Sequence, residues 1–417
     1  MFDRLKTIAR TELAMKYIRS NMKFSRKCCV VPIVCVFIYM GIILVWPNRG
    51  FRRLDLYSYN SRYSSKNAEC PGVLSHMIKG YWKPLPRLSQ ELIGILIDRF
   101  RKQIARNYRF PENYQLKNGS CGNIKFPGTV FRALCDPKGP TPCCYEGYCV
   151  SKSIEDCKCE ECYDLRQRIA ADSSTWVPSH HGCQVDDFDS TTACRLLHNS
   201  TIFWSGNSFT RQIFAAVTMI LKGDLRHLVV TNNTVMEKCE GLDNMFGWCQ
   251  KSTELRPIVC NGSVNLTFIS NPRTSTTQHI YRAIDDLRDK PRTMIFLGLG
   301  IHDNYNYTMI LNDYIHPILE HYKAKRSVWP KFMWAAAHAP GLLQNPFGPF
   351  QLYKHCVRYN KWLNPRLEKL GVPVFDTFNM TDGVASHDGC HFGMAVNMLK
   401  ARIFLHYIAE LQRKGQW

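Results

Sequence analysis

Ser208 follows Gly206-Asn207 and opens a long apolar stretch, while Asp388 and His391 stand three residues apart near the end of the chain. A serine hydroxyl becomes a nucleophile when an imidazole takes its proton, and a carboxylate behind the imidazole fixes the tautomer. These three residue types therefore offer the nucleophile, base and orienting acid of an acyl-transfer site. Each half of the pattern has a plainer reading. Serine in such a turn is a common helix N-cap, and Asp-x-x-His by itself is a weak signal. The chain around them decides how much they mean.

Ile202-Phe203-Trp204 reads as a short buried strand, Gly206-Asn207 breaks it, and Phe209 to Leu221 is apolar at helical spacing. A serine on that turn has its hydroxyl at the carboxyl end of a sheet. Its amide lies at a helix N-terminus, where it can donate to an oxyanion. Asp388 and His391 belong to the polar stretch Asp382–Gly393, just before the apolar-periodic Met394 to Leu411. Between these ends, strands are expected at Leu228–Val230, Val264–Ile269, Thr293–Leu299, Phe332–Ala337 and Val372–Phe375, with helices at His279–Leu287 and Lys354–Leu367. Thr293–Leu299 is almost continuously apolar, as in a parallel sheet covered on both faces. The alternation predicts a three-layer α/β/α sheet with its site at the strand ends.

Gly206-Asn207-Ser208, followed by Arg211-Gln212, with Asp388 and His391 before the last helix, resembles the PC-esterase branch of the SGNH hydrolases. The resemblance covers roughly residues 196–417. It implies a flavodoxin-like parallel sheet and a Ser208–His391–Asp388 triad. Relatives in that branch include luminal sugar O-acetyltransferases and neurexophilin-and-PC-esterase proteins. One position departs from the pattern: Asn207 stands where the family has aspartate, which keeps the shape and an acceptor but loses the charge. The family also uses a glycine amide and an asparagine side chain as oxyanion donors. Asn304 or the Gly300 region resembles the block that supplies the asparagine, with His302 as another donor. Arg211, one turn into the helix, is placed to reach an anionic donor or substrate, or to pair with a surface acid. The resemblance implies no bound metal or cofactor. An acyl donor such as acetyl-CoA would be a co-substrate.

The formal charge is +20, from 54 Lys and Arg against 34 Asp and Glu. A basic catalytic region suits an acidic glycan or a phosphate-bearing acyl donor, and it equally aids solubility or adhesion to a membrane surface. No nucleic-acid signature is present, so nucleic acid is not an expected partner. Residues 28–46 carry no charge and are long enough to cross a bilayer, and residues 1–27 before them are basic. These features predict a cytosolic tail (1–27), a signal anchor (28–46) and a luminal remainder in the Golgi. Sequons at Asn118, Asn199, Asn232, Asn261, Asn265, Asn306 and Asn379 agree with that compartment. So does an even number of cysteines beyond the anchor.

Residues 47–115 read as a stem with an amphipathic helix at Leu88–Tyr108, and 116–195 as a cysteine-rich segment that must be stapled. Cys159-x-x-Cys162 has zinc-ligand spacing, although disulfides are the stronger expectation in an oxidising lumen. Cys143 to Cys149 is similar to a hevein-type chitin-binding pattern, against the plainer reading of a brace. Asp187-Phe188-Asp189 matches the metal-holding D-x-D of nucleotide-sugar glycosyltransferases, or an exposed acidic loop. Cys356 and Cys390 are isolated from the other luminal cysteines, and a Cys356–Cys390 disulfide is expected to pin the base loop. The leading expectation is a Golgi-lumen acyltransferase or esterase acting on a glycan hydroxyl. A non-catalytic glycan-binding protein and a type II glycosyltransferase are the alternatives.

Overall fold

In a computed structural model of the chain, the structure describes residues 70–85, 116–126, 129–159, 162–167, 169–225, 253–340, 353–386 and 390–417. The expected anchor at 28–46, the expected helix at Leu88–Tyr108 and the expected strand at Leu228–Val230 lie outside these residues. Among the described residues no helix is long and apolar enough to cross a membrane. Six of the seven sequon asparagines are described, and Asn118, Asn199, Asn261, Asn265, Asn306 and Asn379 are all exposed. Asn232 lies outside the described residues.

The N-terminal part supplies small antiparallel pieces. Strand β1 (Gly80–Pro84) pairs with β7 (Ser174–Pro178), and β2 (Gly122–Phe126) with β3 (Thr129–Ala133). A three-stranded sheet joins β4 (Cys143–Tyr145), β5 (Tyr148–Val150) and β6 (Tyr163–Asp164). Disulfides Cys121–Cys144, Cys135–Cys149, Cys143–Cys157 and Cys159–Cys162 staple this region, so Cys159 and Cys162 are spent on each other and not on zinc. The expected stem is corrected at its end. Residues 70–85 belong to the folded unit that spans 61–417. Cys70 is bonded to Cys183, the Val73 amide donates to Glu410 Oε2 at 2.8 Å, and Trp82 Nε1 donates to the Met380 carbonyl at 2.8 Å. The Cys70–Cys183 bond spans 113 residues, and closing a loop of that size stabilises by about 5 kcal/mol in the chain-entropy model.

The α/β part follows in order: α1 (Ser190–Leu196), β8 (Ser200–Gly206), α2 (Ser208–Lys222), β9 (Ile258–Val259), β10 (Val264–Ser270), α3 (Gln278–Leu287), β11 (Thr293–Gly298), α4 (His316–Ala324), β12 (Lys331–Ala335), α5 (Tyr353–Lys369), β13 (Val374–Phe375) and α6 (Met394–Arg413). Among the described residues the main sheet runs β13-β12-β11-β8-β10-β9, parallel throughout except for β9. Successive side chains of a strand face opposite ways, so each central strand serves two cores. Ile202, Trp204, Met294 and Phe296 join one core with α2 and α6, while Ile295, Leu297 and Trp334 join the other with α3 and α5. That is the three-layer α/β/α arrangement. Helix α2 is buried almost all round, from Ile213 to Leu221, because the sheet covers one side and α6 and α1 the others.

Candidate active site

The three central strands end level with one another. Gly206 is the register partner of Ser270 on one side and of Gly298 on the other. The chain leaves β8 for β10 on one side and then crosses to β11 on the other, so a topological switch point falls at the end of β8. In open α/β sheets that is where a crevice forms. Gly206 has to be glycine, because a Cβ there would lie 2.4 Å from the Gly298 carbonyl oxygen and 2.6 Å from Thr210 Oγ1.

Asn207, not Ser208, is the N-cap. Its Oδ1 accepts the Phe209 amide at 3.0 Å, and the side chain is buried. Capping needs an acceptor and not a charge, which explains how asparagine preserves this turn. Ser208 is thereby the first helical residue. Its amide is one of the first-turn donors that have no partner within the helix. Its hydroxyl lies 2.7 Å from His391 Nε2.

His391 comes from the far end of the chain, two residues before Gly393, the N-cap of α6. Phe209 sets its ring edge-on to the His391 ring, 5.5 Å between centroids. His391 Nδ1 is 3.3 Å from Cys390 Sγ. With Nε2 accepting the Ser208 hydroxyl proton, Nδ1 of the neutral ring carries the hydrogen. Asp388 lies outside the described residues. The expected Cys356–Cys390 disulfide does not form, and both residues are buried thiols. Cys356 sits against Tyr305 in the core shared with α3 and α5, and burial pushes its thiol up to about 12. Cys390 faces His391 instead.

The loop after β11 brings His302 to the site. Burial lowers its pKa, the Arg273 charge lowers it further, and it lies close enough to His391 for the two imidazoles to repel when charged. Arg273 ties this loop to the one after β10, donating to the His302 carbonyl at 2.7 Å, and the Thr274 amide donates to Asp303 Oδ2 at 3.0 Å. Arg273 and Thr274 carried no signal in the sequence, since a lone arginine in a polar loop is ordinary. Gly300 holds φ +145°, with Tyr305 packed where a side chain would be. Its carbonyl accepts the Asp303 and Tyr305 amides, so it shapes the turn. Asn304 closes the turn in a left-handed conformation and is exposed. Asn271, at the end of β10, is buried with its Nδ2 donating to the Thr276 carbonyl. Arg211 is half-buried, and burial lowers its pKa.

Both carboxylates of the D-x-D pattern have structural work. Asp187 pairs with Arg402 of α6, and Asp189 caps α1 by accepting the Thr192 amide at 2.7 Å. Elsewhere, the clusters of three cysteines that could hold a metal consist of disulfide-bonded residues.

A hydroxyl paired with an imidazole at a helix N-terminus can attack a carbonyl carbon and hold the resulting oxyanion. No family model matches the chain, and no curated protein matches it. Among solved structures the chain is similar to a carbohydrate acetylesterase from Sinorhizobium meliloti, at 12% identity and TM-score 0.30, covering 51% of this chain and 99% of that one. An aryl esterase from M. smegmatis matches at 15% identity and TM-score 0.30, covering 51% and 99%. A lipolytic protein of the G-D-S-L family from Veillonella parvula matches at 14% and 0.30, covering 51% and 100%.

Proposed function

We propose that the chain is a serine acyltransferase or esterase of SGNH type that moves an acyl group, acetyl in the simplest case, onto or off a glycan hydroxyl. The observation that carries this reading is the 2.7 Å contact between His391 Nε2 and Ser208 Oγ at the start of α2. Ser208 Oγ attacks the acyl carbonyl carbon while His391 takes its proton. The Ser208 amide stabilises the oxyanion. The intermediate collapses by breaking the bond to the leaving group, which takes the proton from His391. A sugar hydroxyl or water then attacks the acyl-serine, giving its proton to His391, and Ser208 is regenerated. Asp388 would hold the imidazole tautomer and stabilise the imidazolium.

The charge of +20 favours an acidic glycan or a phosphate-bearing donor such as acetyl-CoA. The uncharged stretch at 28–46, the six exposed sequon asparagines and the disulfides support a type II anchor in the Golgi membrane with this unit in the lumen. The test is labelling with a fluorophosphonate, followed by mapping of the modified peptide. Modification at Ser208 that is lost in His391→Ala supports the reading, and no labelling of Ser208 ends it.

A further inference from the structure

One buried polar chain lies directly behind the site and plays no part in the steps above. Lys400 projects from α6 into the interior at 1% exposure, and its Nζ is 3.1 Å from His338 Nδ1. His338 is itself 2% exposed, and its Nε2 is 2.7 Å from the Cys390 carbonyl oxygen. A carbonyl oxygen can only accept, so Nε2 carries the hydrogen. Nδ1 of the neutral ring then accepts, and Lys400 donates to it. Both ends thus fix the tautomer and tilt of the ring.

The backbone beneath that ring is pinned as well. Asn360 of α5 accepts the Ala337 amide at 3.0 Å and donates to the Ala337 carbonyl at 2.6 Å, and Thr381 Oγ1 accepts the Ala339 amide at 2.9 Å. The Phe209 ring covers the His338 ring at 3.9 Å between centroids and also touches His391. The peptide that His338 grips is the one joining Cys390 to His391. A buried lysine with no paired carboxylate among the described residues is costly, and placing it where it orients a single histidine is a specific use of that cost.

We propose that His338 is a positioning residue for the base. Lys400 orients the imidazole, and the imidazole holds the Cys390 carbonyl so that His391 meets Ser208 in register. This rests on the assignment of Ser208 and His391 as nucleophile and base. A base displaced by about 1 Å can cost on the order of 10²-fold in rate, so the grip matters even though it touches no reacting atom.

The test compares His338→Gln with His338→Asn in the full chain, with a fluorophosphonate as the probe. The glutamine amide reaches the position of Nε2 and can donate to the Cys390 carbonyl. The asparagine amide reaches only the position of Nδ1 and keeps the Lys400 contact alone. We expect H338Q to label Ser208 within about threefold of the wild-type rate and H338N to label at least 10-fold more slowly, with the two variants melting within a few degrees of each other. Equal labelling rates in the two variants would overturn the positioning role while leaving Ser208 as the nucleophile. A wild-type protein that does not label at Ser208 would overturn the underlying assignment and this inference with it. Lys400→Met, which fills the volume without a donor, should also slow labelling several-fold, and an unchanged rate there removes Lys400 from the role.

Discussion

Asp172 Oδ1 accepts the Ala395 amide at 2.9 Å, so a carboxylate from the N-terminal half caps the helix that follows His391. A Cβ at Gly393 would lie 2.6 Å from Asp172 Oδ2, so a larger residue there would push the capping carboxylate aside. Backbone bonds beside it tie the same two regions, Ile169 to the Gly383 carbonyl and Ala385 to the Ile169 carbonyl. The segment before residue 196 therefore helps to build the site. Asp172→Ala should cost about 1–2 kcal/mol of stability by removing the cap, and should lower activity by loosening the start of α6. Asp172→Asn keeps an acceptor and should recover most of both. Thermal melting and fluorophosphonate labelling of the two variants check this.

Ser208→Ala, His391→Ala and Asp388→Asn should each leave a folded protein whose acyl-transfer or esterase activity falls by about 10³-fold or more. Activity retained in Ser208→Ala, on a substrate the wild type turns over, would exclude the covalent mechanism.

Asn207 acts through its acceptor, so Asn207→Asp should fold normally and keep or raise activity, because a carboxylate also caps and suits a helix N-terminus. Asn207→Ala should lose about 1 kcal/mol of stability. A collapse of activity in the aspartate variant would show that the site needs the neutral amide.

His406 gives an acid-sensitive contribution to stability. Burial first of all, with the charges of Arg402 and Arg413 adding, brings its pKa down from 6.5 to about 4, outweighing a smaller opposite contribution from its contact with the Asp186 backbone. Between pH 6.5 and 4 the unfolded chain binds more protons than the folded one. Stability therefore falls as pH drops through that window, by on the order of 2–4 kcal/mol in full. His406→Gln, which can still accept the amide, should flatten that slope in denaturant unfolding at pH 7 and pH 4.5.

Cys356 and Cys390 should be recovered as alkylated thiols when the unreduced protein is denatured and mapped, with Cys194 linked to Cys260 and Cys70 to Cys183. A Cys356–Cys390 peptide would contradict the packing of Cys356 against Tyr305.

Local physics was readable along the chain. The break at Gly206-Asn207 and the apolar period after it located the strand, the turn and α2, because helix starts and buried strands are written in neighbouring residues. The same signals located β10, β11, α3, α5 and α6, and they put Ser208 and His391 at strand-end loops. Folding decided what depends on partners far away in sequence. Nothing in the residues around Lys400 marks it out on its helix, and only packing turns it inward to His338. Asp172 gave no sign of capping α6, since its partner lies more than 200 residues on. Cysteine pairing likewise followed space and not spacing. The spacing leaves Cys356 and Cys390 with no nearby alternative to each other, whereas the fold buries both, Cys356 beside Tyr305 and Cys390 against His391. A sequence records what each segment prefers by itself, and contacts between segments exist only once the chain has closed on itself.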